Sequence, residues 1–528
     1  MFARMNGVVE IFVGLLLAVA VLALLARKLH IPYPVFFVIG GLLLGWIPGL
    51  PPVRLDPKLV FLLFLPPLLF PAALFTSWRD FRANLRPITL LAVGLVLFTT
   101  VAVACIAHYF MGLPLAVGFV LGAIISPPDA IAATAIAQRL RIPHRIVTIL
   151  EGESLVNDAT ALVVYRFAVG TVASGSFVWR GVGLEFLAVS LGGILLGLAI
   201  GWLAEQFHRR IEDAPIEITV SLLTPFVAYL AAERLNVSGV LAVVTAGLYL
   251  GWRSPEILSS QTRLRGGPVW EMLEFILNGF VFILIGLQLP EVLHGLAKDA
   301  IPIRQLVWYA LLISLAVVII RILWVFPATY LPRLIFKKLC RHDPYPSWRH
   351  VTIVAWTGMR GVVSLAAALA LKDNFPHRNL VLFLTFIVIL ATLVVQGLSL
   401  SWLIRWLGVE DDGSLEKEER EARLQANQAA LTRLNEIAAR DTLKTDALQR
   451  LRIEYEDHIS QLATAEPPRA GSRLRLFSTE YERLARTALQ QERRTIIQLR
   501  NQSVINDEAL RRIQLDIDLA EARLRDHQ

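Results

Sequence analysis

The chain has 528 residues; 55% of them are apolar, only 18% are charged, and the mean hydropathy is +0.58. Soluble globular domains are ~25% charged, so the composition excludes a soluble enzyme and a disordered chain. Two cysteines also exclude a disulfide-stapled secreted domain. The charges are unevenly placed: residues 411–528 hold 42 of the 94 charged side chains, and the first 410 residues hold 52. The body therefore reads as a polytopic membrane protein and the tail as a water-facing segment. Net charge is +8, yet the tail carries 20 basic and 22 acidic residues while the body carries 31 and 21. A basic surplus beside apolar spans is what cytoplasmic loops supply, so nucleic acid is not needed as a partner. Cys105 and Cys340 have neither disulfide nor metal-ligand spacing and read as free packing cysteines.

Apolar stretches able to cross a bilayer (~20 residues) are read near 8–26, 34–47, 59–76, 87–109, 114–138, 147–172, 182–206, 215–233, 237–252, 270–290, 302–332, 350–371 and 379–406. The second and ninth of these thirteen are short. The first, with Arg4 ahead of it, could pass for a signal peptide, but its length and the immediate return of further spans favour a retained helix. Odd-numbered loops contain eighteen Lys and Arg and even-numbered loops eight, so the odd loops are expected on the cytoplasmic side. Thirteen spans then put the N-terminus outside and the tail inside. The expected architecture is an all-α polytopic bundle over residues 1–409 and a helical cytoplasmic tail over 410–528.

In that tail, Leu510, Ile513, Ile517 and Leu524 form a stripe at the helical period. The segment Glu466-Pro467-Pro468-Arg469-Ala470-Gly471 separates two helical halves. A regulatory or dimer-forming domain and a solvated helical appendage both fit this pattern.

Three clusters place polar groups where the bilayer makes them expensive, and an intramembrane charge points to function. In Ser126-Pro127-Pro128-Asp129, adjacent prolines inside an apolar span cannot keep the helix ladder. The span should unwind there, freeing carbonyls beside the Asp129 carboxylate, an arrangement with which transporters coordinate cations. The same carboxylate could also cap the second half-helix. In Glu151-Gly152-Glu153-Ser154-Leu155-Val156-Asn157-Asp158, helical geometry puts Glu151, Ser154 and Asp158 on one face and Glu153 and Asn157 on another. A face of oxygens suits hard monovalent cations such as Na⁺ or Li⁺; a polar interhelical seam normally uses Ser, Thr or Asn instead of acids. In Gly358-Met359-Arg360-Gly361, an arginine lies between glycines inside an apolar span and needs an anion, which Glu153 could provide. A snorkelling arginine is the alternative. Arg166 and Arg321 are further in-span arginines with no assignable partner.

These residues carry a resemblance to the cation:proton antiporter-1 family, which includes bacterial sodium/proton antiporters and animal sodium/proton exchangers. Glu151 through Asp158 is similar to the family's signature, Gly358 through Ser364 to its arginine-bearing stretch, and Leu65-Pro66-Pro67-Leu68-Leu69-Phe70 to a third, over roughly residues 8–406. The resemblance implies a thirteen-helix fold of two inverted repeats with crossing broken helices, a homodimer in the cell's inner membrane, and alternating access. It implies that Asp158 is the main cation and proton carrier, with Asp129, the Pro128 carbonyl and the Ser154 hydroxyl as co-ligands of the transported Na⁺. Asn157 stands where electrogenic relatives have a second aspartate, which implies electroneutral exchange, and Glu153 with Arg360 would form a structural ion pair. No cofactor is implied. Two departures stand out: Pro71 occupies a place where many relatives have glutamate, and the prolines precede Asp129 instead of following it.

The function expected is exchange of a monovalent cation, Na⁺ foremost and Li⁺ or K⁺ as alternatives, for H⁺. An intramembrane aspartyl protease would need two carboxylates sharing a proton, in Tyr-Asp and Gly-x-Gly-Asp contexts that Asp129 and Asp158 lack. A cation channel would need a filter-like re-entrant run, and none is present.

Overall fold

The computed structural model describes residues 2–29, 32–47, 62–130, 133–134, 136–137, 140, 142–174, 182–211, 213–298, 301–335, 345–411, 413–440, 446–464 and 479–525. Among these there is no strand, and each of the thirteen apolar stretches is met by helix. In chain order these are α1 (Phe2–Leu29), α2 (Tyr33–Gly45), α3 (Leu65–Leu74), a short α4 (Trp78–Ala83), α5 (Leu85–Met111) and α6 (Leu115–Ile125). There follow α7 (His144–Ser174), α8 (Val182–His208), α9 (Ala214–Arg234), α10 (Gly239–Ile257), α11 (Ser260–Lys298) and α12 (Ile303–Ile335). The last span-forming helices are α13 (Trp348–Trp356), α14 (Val362–Leu369) and α15 (Arg378–Leu407). Among the described residues, eight helices are long and apolar enough to cross a membrane alone; α2, α3 and α6 are shorter. Large apolar side chains such as Leu187, Leu195 and Trp202 on α8, and Leu311, Leu315 and Leu323 on α12, stay exposed on the outside, where lipid covers them.

Two apolar cores organise the body. The larger joins α2, α5, α6 and α11 to α15, through residues such as Phe37, Val103, Ile124, Ile283, Ile313, Ile353 and Phe386. The smaller joins α3 and α8 to α10, through Phe70, Ile200, Ala228 and Val243, and draws in Trp270 of α11. Helix α7 gives Ile146 and Leu150 to the first core and Leu155 and Ala159 to the second. It is therefore the seam of the molecule, and its polar signature lies on that seam.

Two crossings are broken. Helix α6 ends at Ile125, and residues 126–130 are extended or bent, where Pro127 and Pro128 remove donors from the ladder. Between α13 and α14, residues 357–361 leave the helix. The two unwound stretches cross, with the Asp129 amide donating to the Met359 carbonyl at 2.6 Å. Glycines allow the approach. A Cβ on Gly361 would sit 1.8 Å from an Asp129 carboxylate oxygen, and one on Gly358 would sit 2.6 Å from Cδ of Arg321.

The ion pair expected between Glu153 and Arg360 is not the one that forms. Glu153 is bound in a two-pronged fork by Arg321 of α12, with Nη1 to Oε1 at 2.5 Å and Nη2 to Oε2 at 2.8 Å. Both residues are 1% exposed. Arg321 also donates to the Val354 carbonyl from Nε and Nη2. Arg360 is turned to backbone instead: its Nε donates to the Ile125 carbonyl at 3.0 Å and its Nη1 to the Gly358 carbonyl. The physical reason is the break itself. A helix ending at Ile125 leaves orphan carbonyls at the negative end of its dipole, and a guanidinium satisfies them. Arg166 pairs with Glu233 at the bundle's exposed flank. Cys105 is free and lies on the exposed face of α5, not in the packing position expected for it; Cys340 lies outside the described residues.

The tail forms α16 (Ser414–Arg440), α17 (Asp446–Thr464), α18 (Thr479–Asn501) and α19 (Asp507–Arg525). They pack on one another through Ala422, Ala426, Ile496, Leu510, Ile513 and Ile517, and through Leu434, Leu451, Tyr455 and Ala488. Three members of the expected stripe are thus buried; the side chain of Leu524 and the Glu466–Gly471 break lie outside the described residues. The tail is docked on the body, with Arg263 donating to both oxygens of Asp518 at 2.7 and 2.6 Å.

Removing one member of a buried ion pair leaves the other charge unsolvated. Arg321→Ala should therefore destabilise the detergent-purified protein by about 3–5 kcal/mol, and Arg321→Lys should recover little because the planar fork is lost. Arg360→Ala, which abandons carbonyls and not a charge, should cost less. Thermal melts of the three variants beside wild type check this order, and a wild-type melting temperature for Arg321→Ala would refute the brace.

Candidate functional site

A cavity of about 870 Å³ opens along the seam. Its wall from α7 presents His144, Glu151, Ser154 and Asp158, the face that helical spacing assigns to them. From the broken crossings come Asp129 and Ala130 on one side and Gly361 to Ser364 on the other. Helix α3 contributes Leu68, Leu69 and Pro71. Pro71 thus faces the cavity from the position where a glutamate would have added a carboxylate.

Asp158 is 7% exposed and interacts electrostatically with Asp129. Two carboxylates in a low-dielectric site repel strongly unless a cation or proton lies between them. Ser154 is close by, its hydroxyl accepting from the Ala130 amide at 3.4 Å, so it anchors the unwound stretch as well as facing the cavity. Asp158, Asp129 and Ser154 are therefore brought together as expected.

Asn157 and Pro128 are placed differently. Neither lines the cavity. The Asn157 side-chain amide donates to the Pro128 carbonyl at 2.8 Å, with Asn157 fully buried. The two bind each other across the crossing, and the bond fixes the peptide just before Asp129. Glu153, on the same α7 face, is held by Arg321. One face of α7 carries fixed partners and the other faces the cavity.

Two cavity residues were not singled out from sequence. Glu274 and Asn278, one helical turn apart on α11, line the wall contributed by that helix. Their spacing of four on an apolar span was a legible cue, obscured because Glu271 and Glu274 sit near the end of the expected span. At the tail-side mouth, the His144 Nε2 lies 3.2 Å from Asp80 and its Nδ1 3.0 Å from Glu508 of α19. Burial pushes the Asp80 carboxyl up, but the His144 hydrogen bond and the Arg79 charge outweigh it and hold Asp80 below its ordinary value. The hydrogen bond to His144 does the same for Glu508.

Comparison with known proteins points to one family. A family described as "Sodium/hydrogen exchanger, transmembrane" matches residues 14–406. A Mycobacterium bovis protein named as an uncharacterized Na⁺/H⁺ exchanger is 36% identical over 98% of this chain and 96% of its own length. A Bacillus subtilis protein named a sodium, potassium, lithium and rubidium/H⁺ antiporter is 36% identical over 69% of this chain and 56% of its own. Among solved structures, the sodium proton antiporter MjNhaP1 from Methanocaldococcus jannaschii superposes with a TM-score of 0.62 at 20% identity, covering 77% of this chain and 99% of that one. That likeness supports the fold. With a family match across the whole membrane body and relatives similar from end to end, the chain belongs to the transmembrane sodium/hydrogen exchanger family.

Proposed function

We propose that the chain exchanges a monovalent cation, Na⁺ foremost, for H⁺ by alternating access, with Asp158 as the carrier of both. The observation that carries this reading is the pair Asp158 and Asp129 at the wall of one cavity, Asp129 on backbone unwound inside the apolar core. A bare charge on Asp158 is costly away from water. The carboxylate therefore crosses only when it holds a proton or a cation, and this couples the two flows and prevents a leak. Asp129 and the Ser154 hydroxyl complete the oxygen set for a dehydrated cation, while Asn157 and the Pro128 carbonyl hold the unwound stretch in register. The cavity lies where α7 joins the two cores, so sliding of one core against the other would move the opening from one side to the other. The Bacillus relative's name supports monovalent-cation exchange with K⁺ and Li⁺ as further substrates. The family resemblance supports a homodimer in the cell's inner membrane, and the basic bias of the odd-numbered loops supports an N-terminus outside and a cytoplasmic tail.

Four substitutions test the carrier in proteoliposomes with an internal pH dye. Asp158→Asn should be folded and inactive, because a neutral amide can carry neither ion. Asp158→Glu should lose much of the rate through misplacement. Asp129→Asn should weaken apparent cation affinity severely and Ser154→Ala mildly, since water can replace a hydroxyl. Wild type should show competition between cation and proton; full exchange by folded Asp158→Asn would overturn the assignment.

With Asn157 uncharged beside one carrier carboxylate, one cation displaces one proton and no net charge moves. Exchange should then be indifferent to an imposed potassium–valinomycin potential, and a clear voltage dependence would contradict it. A chain ending near Val409 should still insert and exchange, since every proposed ligand precedes that point. Absence of exchange at any pH from correctly assembled truncated protein would make the tail part of the mechanism.

A further inference from the structure

The last tail helix reaches the wall of the cavity that holds Asp158. Its register is set at both ends. The Ser77 hydroxyl donates to Asp507 at 3.2 Å, and His144 lies 3.0 Å from Glu508. Farther along, Gln514 donates to the Pro255 carbonyl at 3.2 Å and Asp518 accepts from Arg263. These anchors leave Arg511 facing the cavity, which it lines together with Glu151, Asp129 and Asp158.

Three carboxylates at this mouth have partners. Asp80 is engaged by Arg79 and His144, Glu508 by His144 and Arg512, and Asp507 by Ser77 and Arg500. Among the described residues, no hydrogen bond or close ion pair joins either Glu151 or Arg511 to a partner. Both line the cavity, and each lies in the field of the other, with His144 and Glu508 also acting on Glu151. Arg511 is half-buried. Burial lowers its pKa, while the carboxylates of Asp507, Glu508, Glu151 and Asp80 work to retain its charge.

Resting on the antiport reading above, we propose that Arg511 is a tethered cation in the tail-side antechamber, where it neutralises Glu151 and so determines how readily a mobile cation reaches Asp158. An acidic vestibule concentrates cations ahead of a carrier site, and a fixed positive charge inside it cancels that focusing. Arg511 is an access-determining residue in this sense: it touches neither the transported ion nor its ligands, and the tail would regulate affinity by presenting or withdrawing it.

The test uses the full chain in proteoliposomes with the tail facing the bath and Na⁺, Li⁺ and K⁺ pulses applied in turn. Arg511→Gln should lower the apparent KM for the cation at least about threefold with the maximal rate retained, and Arg511→Lys should keep the wild-type KM. Adding Glu151→Gln to Arg511→Gln should remove the gain, a dependence that a merely structural role would not create. Arg511→Met provides a second neutral variant. An unchanged KM in a folded neutral variant, a gain that survives Glu151→Gln, or failure of both neutral variants to fold would each overturn the proposal. Absence of exchange by wild type with all three ions would instead overturn the antiport reading, and this inference with it.

Discussion

Unwound backbone inside an apolar core is the constraint from which the centre of this molecule is built. Water cannot satisfy peptide groups there, so every freed donor or acceptor needs a protein partner. The crossing of residues 126–130 with 357–361 and the helices beside it supply them: the Asp129 amide meets the Met359 carbonyl, the Asn157 amide of α7 meets the Pro128 carbonyl, and the Arg360 backbone amide meets the Thr392 hydroxyl of α15. Arg360 then closes the end of α6. Two glycines make room for the charged side chains at the crossing. The prolines that break the helix and the groups that repair it form one unit.

That repair divides α7 into two kinds of surface. Glu153 and Asn157 face static partners, a guanidinium and a carbonyl, and are fully enclosed. Ser154 and Asp158 face open volume, and Glu151 faces it beside Arg511. A carboxylate with a permanent counter-charge is a brace, whereas one without it must draw its counter-charge from what enters the cavity. Chemically identical groups, separated by a rotation around one helix, therefore serve structure and exchange.

The tail adds a third contribution. Its helices have their own apolar cores, yet α19 is pinned both to the loop before α4 and to the ends of α10 and α11. It thus touches elements of both body cores and brings charge to the rim of the cavity between them.

Much of this was legible in the chain. Thirteen apolar stretches, a double proline beside an aspartate and a helical face of oxygens are local patterns, fixed by bilayer thickness and by 3.6-residue periodicity, and the helices, the break and the cavity-facing trio follow them. The partner of Glu153 was not legible. Arg321 and Arg360 are both in-span guanidiniums, and choosing between them depends on which one the orphan carbonyls at Ile125 capture. The same holds for Glu274 and Asn278, whose facing depends on how α11 rotates against α2, and for the docking of Arg511 across a separation of hundreds of residues. Periodicity assigns a side chain to a face of its own helix. Only packing decides what lies opposite that face, because a buried charge takes whichever distant partner the assembled fold brings within reach.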